Sequence, residues 1–425
     1  MKSIVTRILV VFVLAAGVFA QDASTQKKIL TVDDAVELAM QENVTIKRQT
    51  ASLELLRERS MYSWNSASPS VSLSGSYGVP LEDNQKASWS VTGQVNVSLT
   101  PALYTSIKTA SLNYQNGQIS YEQTKKTVEL NVRKLFLNLL LAKQSLDLQK
   151  ANLETSRQRY NSNREKYNRG QLSELDLLNS QYNYESLKPS VESTQINYDN
   201  SLLSFKILLG LPDTQEIELN GNLKDYVSKK EITFDYDVEQ VPSIQTLERQ
   251  IELAKTNLLA ARFSAYGPSF SAGYTYTYAD RGMGGGAQGS NSLSLGVRLP
   301  LDGLFPWSNS SINVDAAKVN VQDLELQLEN EKANTKLNIE TSLKKIKQAQ
   351  AQLELLESNV SLAQKTYNVT LTAYNHGSRD YLTLQNASVS LLNAQLSLEQ
   401  QRYNLISAIL DLENTLGLPF GDLTK

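Results

Sequence analysis

The sequence predicts an α/β membrane protein that is mainly α and contains two copies of one unit. Three observations carry this prediction. The run YNRG at residues 167–170 returns as YNHG at residues 374–377, and LGLP at 209–212 returns at 416–419, both 207 positions later. Each copy has a pair of segments in which apolar residues alternate with polar ones, and each continues into a very long helical pattern. An offset that holds across several elements indicates a two-fold internal repeat.

The N-terminus has the features of a secretory signal. A positively charged start precedes an apolar run at residues 8–20, which is shorter than the ~20 residues of a membrane-spanning helix. The run ends in small residues that suit cleavage, so residues 1–20 are predicted to be a signal peptide. An uncleaved anchor is the alternative.

The composition excludes several classes of function. The chain has no cysteine, one histidine (His376) and a formal net charge of −3. Without cysteine there are no disulfides or thiolate metal sites, and a mildly acidic chain has no electrostatic basis for binding nucleic acid. No catalytic set can be assembled from these residues, so neither an enzyme nor a cofactor is expected. His376 is either a pH-sensitive group or a solvated turn residue.

The first repeat is predicted to span residues 21–212. It opens with a helix that Thr31 caps and that continues to about Trp64. A β-hairpin follows at residues 69–99, where apolar residues alternate with serine, threonine and other polar residues. A helical pattern with the 4-3 spacing of a coiled coil comes next, turns near residues 167–176 and returns.

The second repeat is predicted to span residues 242–425, after an equatorial linker at residues 213–241. A helix, a β-hairpin at 268–299 and a long helix that turns near residues 374–383 follow one another in the same order. The strands of the two repeats correspond at offsets of about 199–200, so about seven residues were gained between strand and helix in the second repeat. Each long helix would extend for roughly 100 Å at 1.5 Å per residue, which is too long for one compact core.

The four strands have the length and alternation of strands in an outer membrane β-barrel. A half-buried strand of a soluble sheet alternates identically, but the signal peptide and the aromatic residues Tyr77, Trp89 and Tyr278 favour the membrane. Four strands cannot close a barrel, which needs about eight, and an open edge is not viable in lipid. A cyclic trimer solves both problems, with a 12-stranded β-barrel that continues into a long α-helical coiled-coil barrel.

These features together are similar to the TolC-like outer membrane efflux protein family. The similarity covers nearly the whole mature chain and rests on the order of the motifs: the opening helix from Leu30, the strand PSVSLSGSY from Pro69, the two Tyr-x-x-Gly turns and the two LGLP ends. It implies an outer membrane channel-tunnel that extends into the periplasm and exports small molecules or proteins in a tripartite efflux or type I secretion system.

The resemblance also implies partners. They are two further copies in a homotrimer, outer membrane lipid, a periplasmic adaptor and an inner-membrane pump. Two other readings of the helical pattern are a periplasmic adaptor, which would have a single long hairpin, and a coiled-coil surface protein, which would not need four alternating strands.

The two helix turns are where the resemblance implies a gate. Tyr374 and Arg379 match the family's gate tyrosine and arginine, and Asp176 matches the aspartate of the other turn. The predicted gate is a bond from Arg379 to Asp176 or to nearby backbone of a neighbouring subunit. The alternative is an exposed ion pair, worth under ~1 kcal/mol.

Adaptor docking is predicted on the surface of the same turns. The residues are Gly170, Gln171, Leu172, Ser173, Gly377 and Ser378. The alternative is that they only turn the chain, which glycine does in many proteins. The sequence departs from the family at Thr383 and Asn386, which are neutral where the family often carries acids, so a ring of carboxylates is not expected at that level.

Overall fold

A computed structural model describes residues 28–79, 87–228, 232, 236–280 and 286–424. The predicted signal peptide and the residues at the tips of both β-hairpins lie outside them. Within the described residues, no helix combines the length and the apolar composition needed to cross a membrane. The elements are, in chain order, β1 (Lys28–Leu30), α1 (Val32–Glu42), α2 (Val44–Met61), β2 (Ser70–Gly78), β3 (Ser88–Leu99), α3 (Ala102–Asn168), α4 (Glu174–Leu209), β4 (Ile217–Leu219), α5 (Pro242–Tyr266), β5 (Ser269–Asp280), β6 (Gln288–Arg298), α6 (Asn309–Asn375) and α7 (Tyr381–Leu416).

The long helices form two matched hairpins. α3 and α6 each contain 67 residues, and the helices that return from them, α4 and α7, each contain 36. At 1.5 Å per residue, each long helix extends for about 100 Å. The equal lengths confirm a mainly helical fold with a two-fold internal repeat.

The opening helix begins as predicted but is interrupted. Thr31 caps α1, because its hydroxyl accepts from the Asp34 N–H at 3.3 Å while the Asp34 carboxylate accepts from the Thr31 N–H at 3.0 Å. The expectation of one helix to about Trp64 is wrong. Asn43 ends α1 and caps α2, with its Oδ1 2.8 Å from the Thr45 nitrogen and its Nδ2 2.8 Å from the Leu208 carbonyl oxygen.

The strands form two separate sheets. β1 and β4 pair in parallel. The other four strands form an antiparallel sheet in the order β2-β3-β5-β6, so β3 and β5 join the two repeats directly. Among the described residues, the outer sides of β2 and β6 have no strand partner.

One face of the four-stranded sheet is apolar and the other is polar. The register places Val71, Val95, Tyr274 and Leu293 in one row that crosses all four strands on the apolar face. The polar face carries hydroxyl and amide side chains, such as the Thr92 and Thr277 hydroxyls, which lie 3.2 Å apart. The apolar face is largely exposed, as a face directed at lipid would be.

The hydrophobic core lies midway along the helical hairpins. Phe136 of α3 and Phe205 of α4 are buried with ring centroids 6.1 Å apart, next to the β1–β4 sheet. A second cluster joins α5, α6 and α7 through Ile244, Ile339 and Leu405. Burying each such side chain contributes about 1.5–3 kcal/mol. This core holds the hairpins together between the four-stranded sheet at one end and the helix turns at the other.

Candidate functional site

Both helical hairpins turn through the same backbone motif. Gly170 has a φ of +71° and Gly377 a φ of +75°, and no atom lies within 4 Å of where a Cβ would be at either residue. The Gly170 N–H donates to the Tyr167 carbonyl at 2.8 Å, and the Gly377 N–H donates to the Tyr374 carbonyl at 3.0 Å. Since space is free at both positions, the left-handed backbone conformation is what favours glycine.

The helices that leave the two turns are capped by different side chains. The Ser173 hydroxyl caps α4, accepting from the Asp176 N–H at 3.1 Å and donating to the Asp176 carboxylate at 2.8 Å. The Asp380 carboxylate caps α7 and accepts from the Thr383 N–H at 3.0 Å. Hydrogen bonds from Thr383 lower the pKa of Asp380. The negative charge therefore lies inside the first turn of α4 but at the cap of α7, and either position suits the positive end of a helix.

Tyr374 fastens the second hairpin to the first. Its hydroxyl donates to the Asn163 Oδ1 of α3 at 2.7 Å, and the Lys166 ammonium lies 5.3 Å from its ring centroid. Burial raises the pKa of Tyr374, and the charge of Asp176 raises it further. Tyr374 is therefore a neutral hydrogen-bond donor that joins α6 to α3 inside one chain.

A polar network around Tyr381 extends this junction to all four long helices. Tyr381 is fully buried, with its ring centroid 6.1 Å from that of Tyr374. Its hydroxyl accepts from the Asn183 Nδ2 at 3.3 Å, and the Asn183 Oδ1 accepts from the Gln385 Nε2 at 2.8 Å. The Asn183 amide also lies 3.2 Å from the Ser156 hydroxyl. Tyr381 and Ser156 are buried and the two amides are half-buried, so a shift of the helices would leave shielded polar groups unpaired.

Tyr367 also joins α6 to α3, at a position farther from the turns than Tyr374. Arg159 of α3 donates to the hydroxyl of Tyr367 on α6, and its guanidinium lies 5.3 Å from the centroid of that ring. Tyr367 and Tyr374 are seven residues apart on α6, and Arg159 and Asn163 are four apart on α3. The contacts therefore repeat along one face of each helix.

The structure places the predicted gate residues at the tips but does not join Arg379 to Asp176. Arg379 is exposed and, in the described part of the chain, has neither a hydrogen bond nor an ion pair. Asp176 is engaged with Ser173 in its own turn. The predicted contact lies between neighbouring subunits, so a single chain leaves it a prediction.

The residues predicted to dock an adaptor lie on the surface of the turns. Leu172 is half-buried, and the others are exposed: Gly170, Gln171, Ser173, Gly377 and Ser378. The His376 Nδ1 lies 2.8 Å from the Thr372 carbonyl oxygen, beside an open groove on α6. Within the described residues, no group of three or more His, Asp or Glu side chains could hold a metal ion.

The sequence-based prediction missed the residues that join the hairpins: Arg159, Asn163, Asn183, Tyr381 and Gln385. The sequence contains a signal for one of these residues, Asn163. The 4-3 spacing that runs through Leu139 and Leu146 reaches Ser156 and Asn163 at seam positions, and both are buried. A polar residue on an apolar seam indicates a specific polar partner.

Comparison with known proteins gives a family and a fold. A sequence model described as "Outer membrane efflux protein" matches residues 35–211 and 238–418. Three solved structures are similar at low identity: CusC (TM-score 0.76, 18% identity, 91% of this chain and 92% of that one); the CmeC outer membrane channel of Campylobacter jejuni (0.74, 19%, 91% and 85%); and the open state of the MtrE outer membrane channel of Neisseria gonorrhoeae (0.70, 18%, 91% and 89%). No match was found among curated protein sequences.

Proposed function

The chain belongs to the outer membrane efflux protein family, and we propose that three copies of it form the exit duct of a tripartite export system. Membership makes the chain an efflux channel of the outer membrane that extends into the periplasm, and not an enzyme. The proposal adds a homotrimer, a periplasmic adaptor and an inner-membrane pump as partners, small molecules or proteins as cargo, and a gate at the helix turns.

The main support for a trimer is that the four-stranded sheet has two free edges among the described residues. Hydrogen-bonding groups on the outer sides of β2 and β6 cannot stay unpaired in lipid, where each would cost several kcal/mol. Pairing β6 of one copy with β2 of the next removes every edge. Three copies give twelve strands, which is within the range of bacterial outer membrane barrels.

The helices support the same assembly. Leu355, Leu362 and Val369 follow one another at seven-residue intervals on α6 and are 61 %, 65 % and 70 % exposed. Such spacing is that of a coiled-coil seam, yet these side chains are left open by the single chain. A neighbouring subunit would cover them and extend the two hairpins into a closed helical barrel.

The polar face of the sheet indicates how strongly the proposed barrel could select its cargo by charge. In the proposed barrel this face lines the lumen, and its central rows are uncharged: Ser72, Gln94, Thr275 and Ser292 lie side by side, followed by Ser74, Thr92, Thr277 and Ser290. Neutral hydroxyl and amide groups select weakly for charge. We therefore assign the choice of cargo to the pump and the adaptor.

The proposed gate combines one contact inside each chain with one between chains. Tyr374 and Asn163 hold the second hairpin against the first. The Arg379 guanidinium has all its donors available among the described residues and would bind Asp176, or backbone carbonyls beside it, on the next subunit. An adaptor that docks on the exposed turns, Gly170 to Ser173 and Gly377 to Ser378, is placed to separate these contacts.

Cross-linking the two sheet edges tests the trimer. The chain has no cysteine, so Ser72→Cys on β2 and Ser292→Cys on β6 introduce the only thiols, one on each edge strand of the sheet. The strands of a closed barrel are staggered, so bis-maleimides of increasing length are compared in outer membranes, and one of them should convert the double variant into covalent trimers on a denaturing gel. Each single variant, with one edge labelled, should remain monomeric. Soluble monomers, or linked species that continue beyond three chains, would contradict the closed trimer.

A further inference from the structure

The second repeat contains an insertion between its last strand and its long helix. In the first repeat only Thr100 and Pro101 separate β3 from α3, whereas residues 299–308 separate β6 from α6. This segment accounts for the different offsets of strands and helices. Nothing in the channel function described above requires it.

The large side chains of this segment are apolar and open to the surroundings. Leu304 is 66 % exposed and Trp307 is 78 % exposed, and Leu301 and Phe305 are exposed as well. The rings of Phe305 and Trp307 lie 5.4 Å apart, centroid to centroid, so they form one aromatic cluster. Leaving such a cluster in water is unfavourable, because contiguous apolar surface favours burial against another apolar surface.

The backbone of the segment is compact and internally bonded. The N–H groups of Leu304, Phe305 and Ser308 donate to carbonyls three residues earlier, at 3.0, 3.0 and 2.9 Å. The two prolines of the segment have no N–H to satisfy. Gly303 is buried against the end of α5, where a Cβ would lie only 2.6 Å from the Tyr266 ring and 2.7 Å from the Ala265 carbonyl oxygen. A larger residue would not fit here, so glycine allows the segment to pack against α5.

The apolar surface of the segment continues the lipid-facing surface of the sheet. Leu293, Leu295 and Val297 alternate on the apolar face of β6, and Leu299 and Leu301 extend the alternation past the end of the strand. β6 ends where the helices that extend into the periplasm begin. The segment therefore lies where the periplasmic surface of the outer membrane meets the protein.

We propose that residues 299–308 form an interfacial anchor that inserts Phe305 and Trp307 into the headgroup region of the periplasmic leaflet of the outer membrane. Tryptophan and its aromatic neighbours prefer this depth, because the ring is apolar while the indole N–H keeps a polar partner. Local hydrogen bonding of the backbone reduces the number of polar groups that lose water where the segment meets lipid. The occupant of the surface is phospholipid, rather than a neighbouring subunit.

Depth-dependent quenching of Trp307 tests the anchor. The chain has three tryptophans, so Trp64→Phe with Trp89→Phe leaves Trp307 alone. The full chain is reconstituted in vesicles of phosphatidylethanolamine and phosphatidylglycerol brominated either near the carbonyl or near the end of the acyl chain. Bromine near the carbonyl should quench Trp307 several-fold more than bromine near the chain end. A matched variant that keeps only Trp89, which lies on the apolar face near the other end of the sheet, reports insertion of the barrel.

If neither lipid quenches Trp307 in vesicles that quench Trp89, the proposal is overturned. Blue-shifted emission would then assign the segment to a subunit contact, and red-shifted emission would assign it to water.

A second readout does not depend on tryptophan substitutions. Phe305→Cys, the only thiol in the chain, should react with a charged maleimide several-fold more slowly than Asn309→Cys at the exposed start of α6. Equal rates would also overturn it.

Discussion

The two helix turns share a backbone but differ in what their side chains contact. Tyr167 and Tyr374 occupy matched positions; Tyr167 is 39 % exposed, whereas Tyr374 is half-buried and donates to Asn163. Glu174 and Tyr381 are matched as well; Glu174 is exposed and Tyr381 is fully buried. The turn geometry depends on glycine and was kept in both repeats. The side chains diverged, so the second hairpin carries the tyrosines that fasten it to the first.

Replacing Tyr381 should produce the largest difference between the turns. Tyr381→Ala removes a buried ring together with the hydroxyl that accepts from Asn183, and substitutions of this kind cost about 3–5 kcal/mol. Hydrogen exchange should show loss of protection in the first turns of α7 and in the facing part of α4. Glu174→Ala, the matched change at the first turn, should stay within about 0.5 kcal/mol. Equal effects of the two variants would contradict the asymmetry.

Removing only the Tyr374 hydroxyl should have a smaller effect. Tyr374→Phe keeps the ring but leaves the Asn163 Oδ1 without its donor, while the Asn163 Nδ2 is already buried without a partner among the described residues. The expected cost is about 1–3 kcal/mol, seen as more frequent openings of single channels in planar bilayers. Tyr167→Phe is the control and should leave the opening frequency unchanged. A wild-type opening frequency in Tyr374→Phe would show that this bond does not restrain the hairpin.

Acid should weaken the Asp380 cap of α7 but not the Ser173 cap of α4. This is the smallest of the three expected effects. Hydrogen bonds from Thr383 lower the pKa of Asp380, so the cap stabilises α7 above the ordinary pKa of aspartate, and this contribution is lost as the pH falls through the lowered value. The Ser173 hydroxyl does not titrate in this range. Protection of the Thr383 amide against exchange, corrected for the intrinsic pH dependence, should stay constant above the ordinary aspartate pKa and fall below about pH 4. Asp380→Ser should abolish the fall, and its persistence in that variant would assign it to another group.

The sequence predicts those parts of the molecule whose signals are local. Glycine at positive φ, alternation over single strands and the seven-residue spacing of the helices each depend on neighbouring residues, and they locate the turns, the sheet and the hairpins. The contacts of Asn43 with Leu208 and of Asn163 with Tyr374 join residues more than 160 positions apart. They depend on which faces of the helices meet, and periodicity alone does not determine that. The signal at Asn163 was a polar residue on an apolar seam, which indicates a partner without identifying it.

In the proposed gate, contacts between subunits at the two turns close the channel. Asp176→Cys with Arg379→Cys places the only two thiols of the chain at these positions. A thiol-reactive cross-linker about as long as an arginine side chain should join neighbouring chains into covalent trimers and stop conduction in planar bilayers, and a cleavable version should restore conduction when cut. Linkage confined to single chains, or undiminished conduction through covalent trimers, would contradict closure of the channel at the turns.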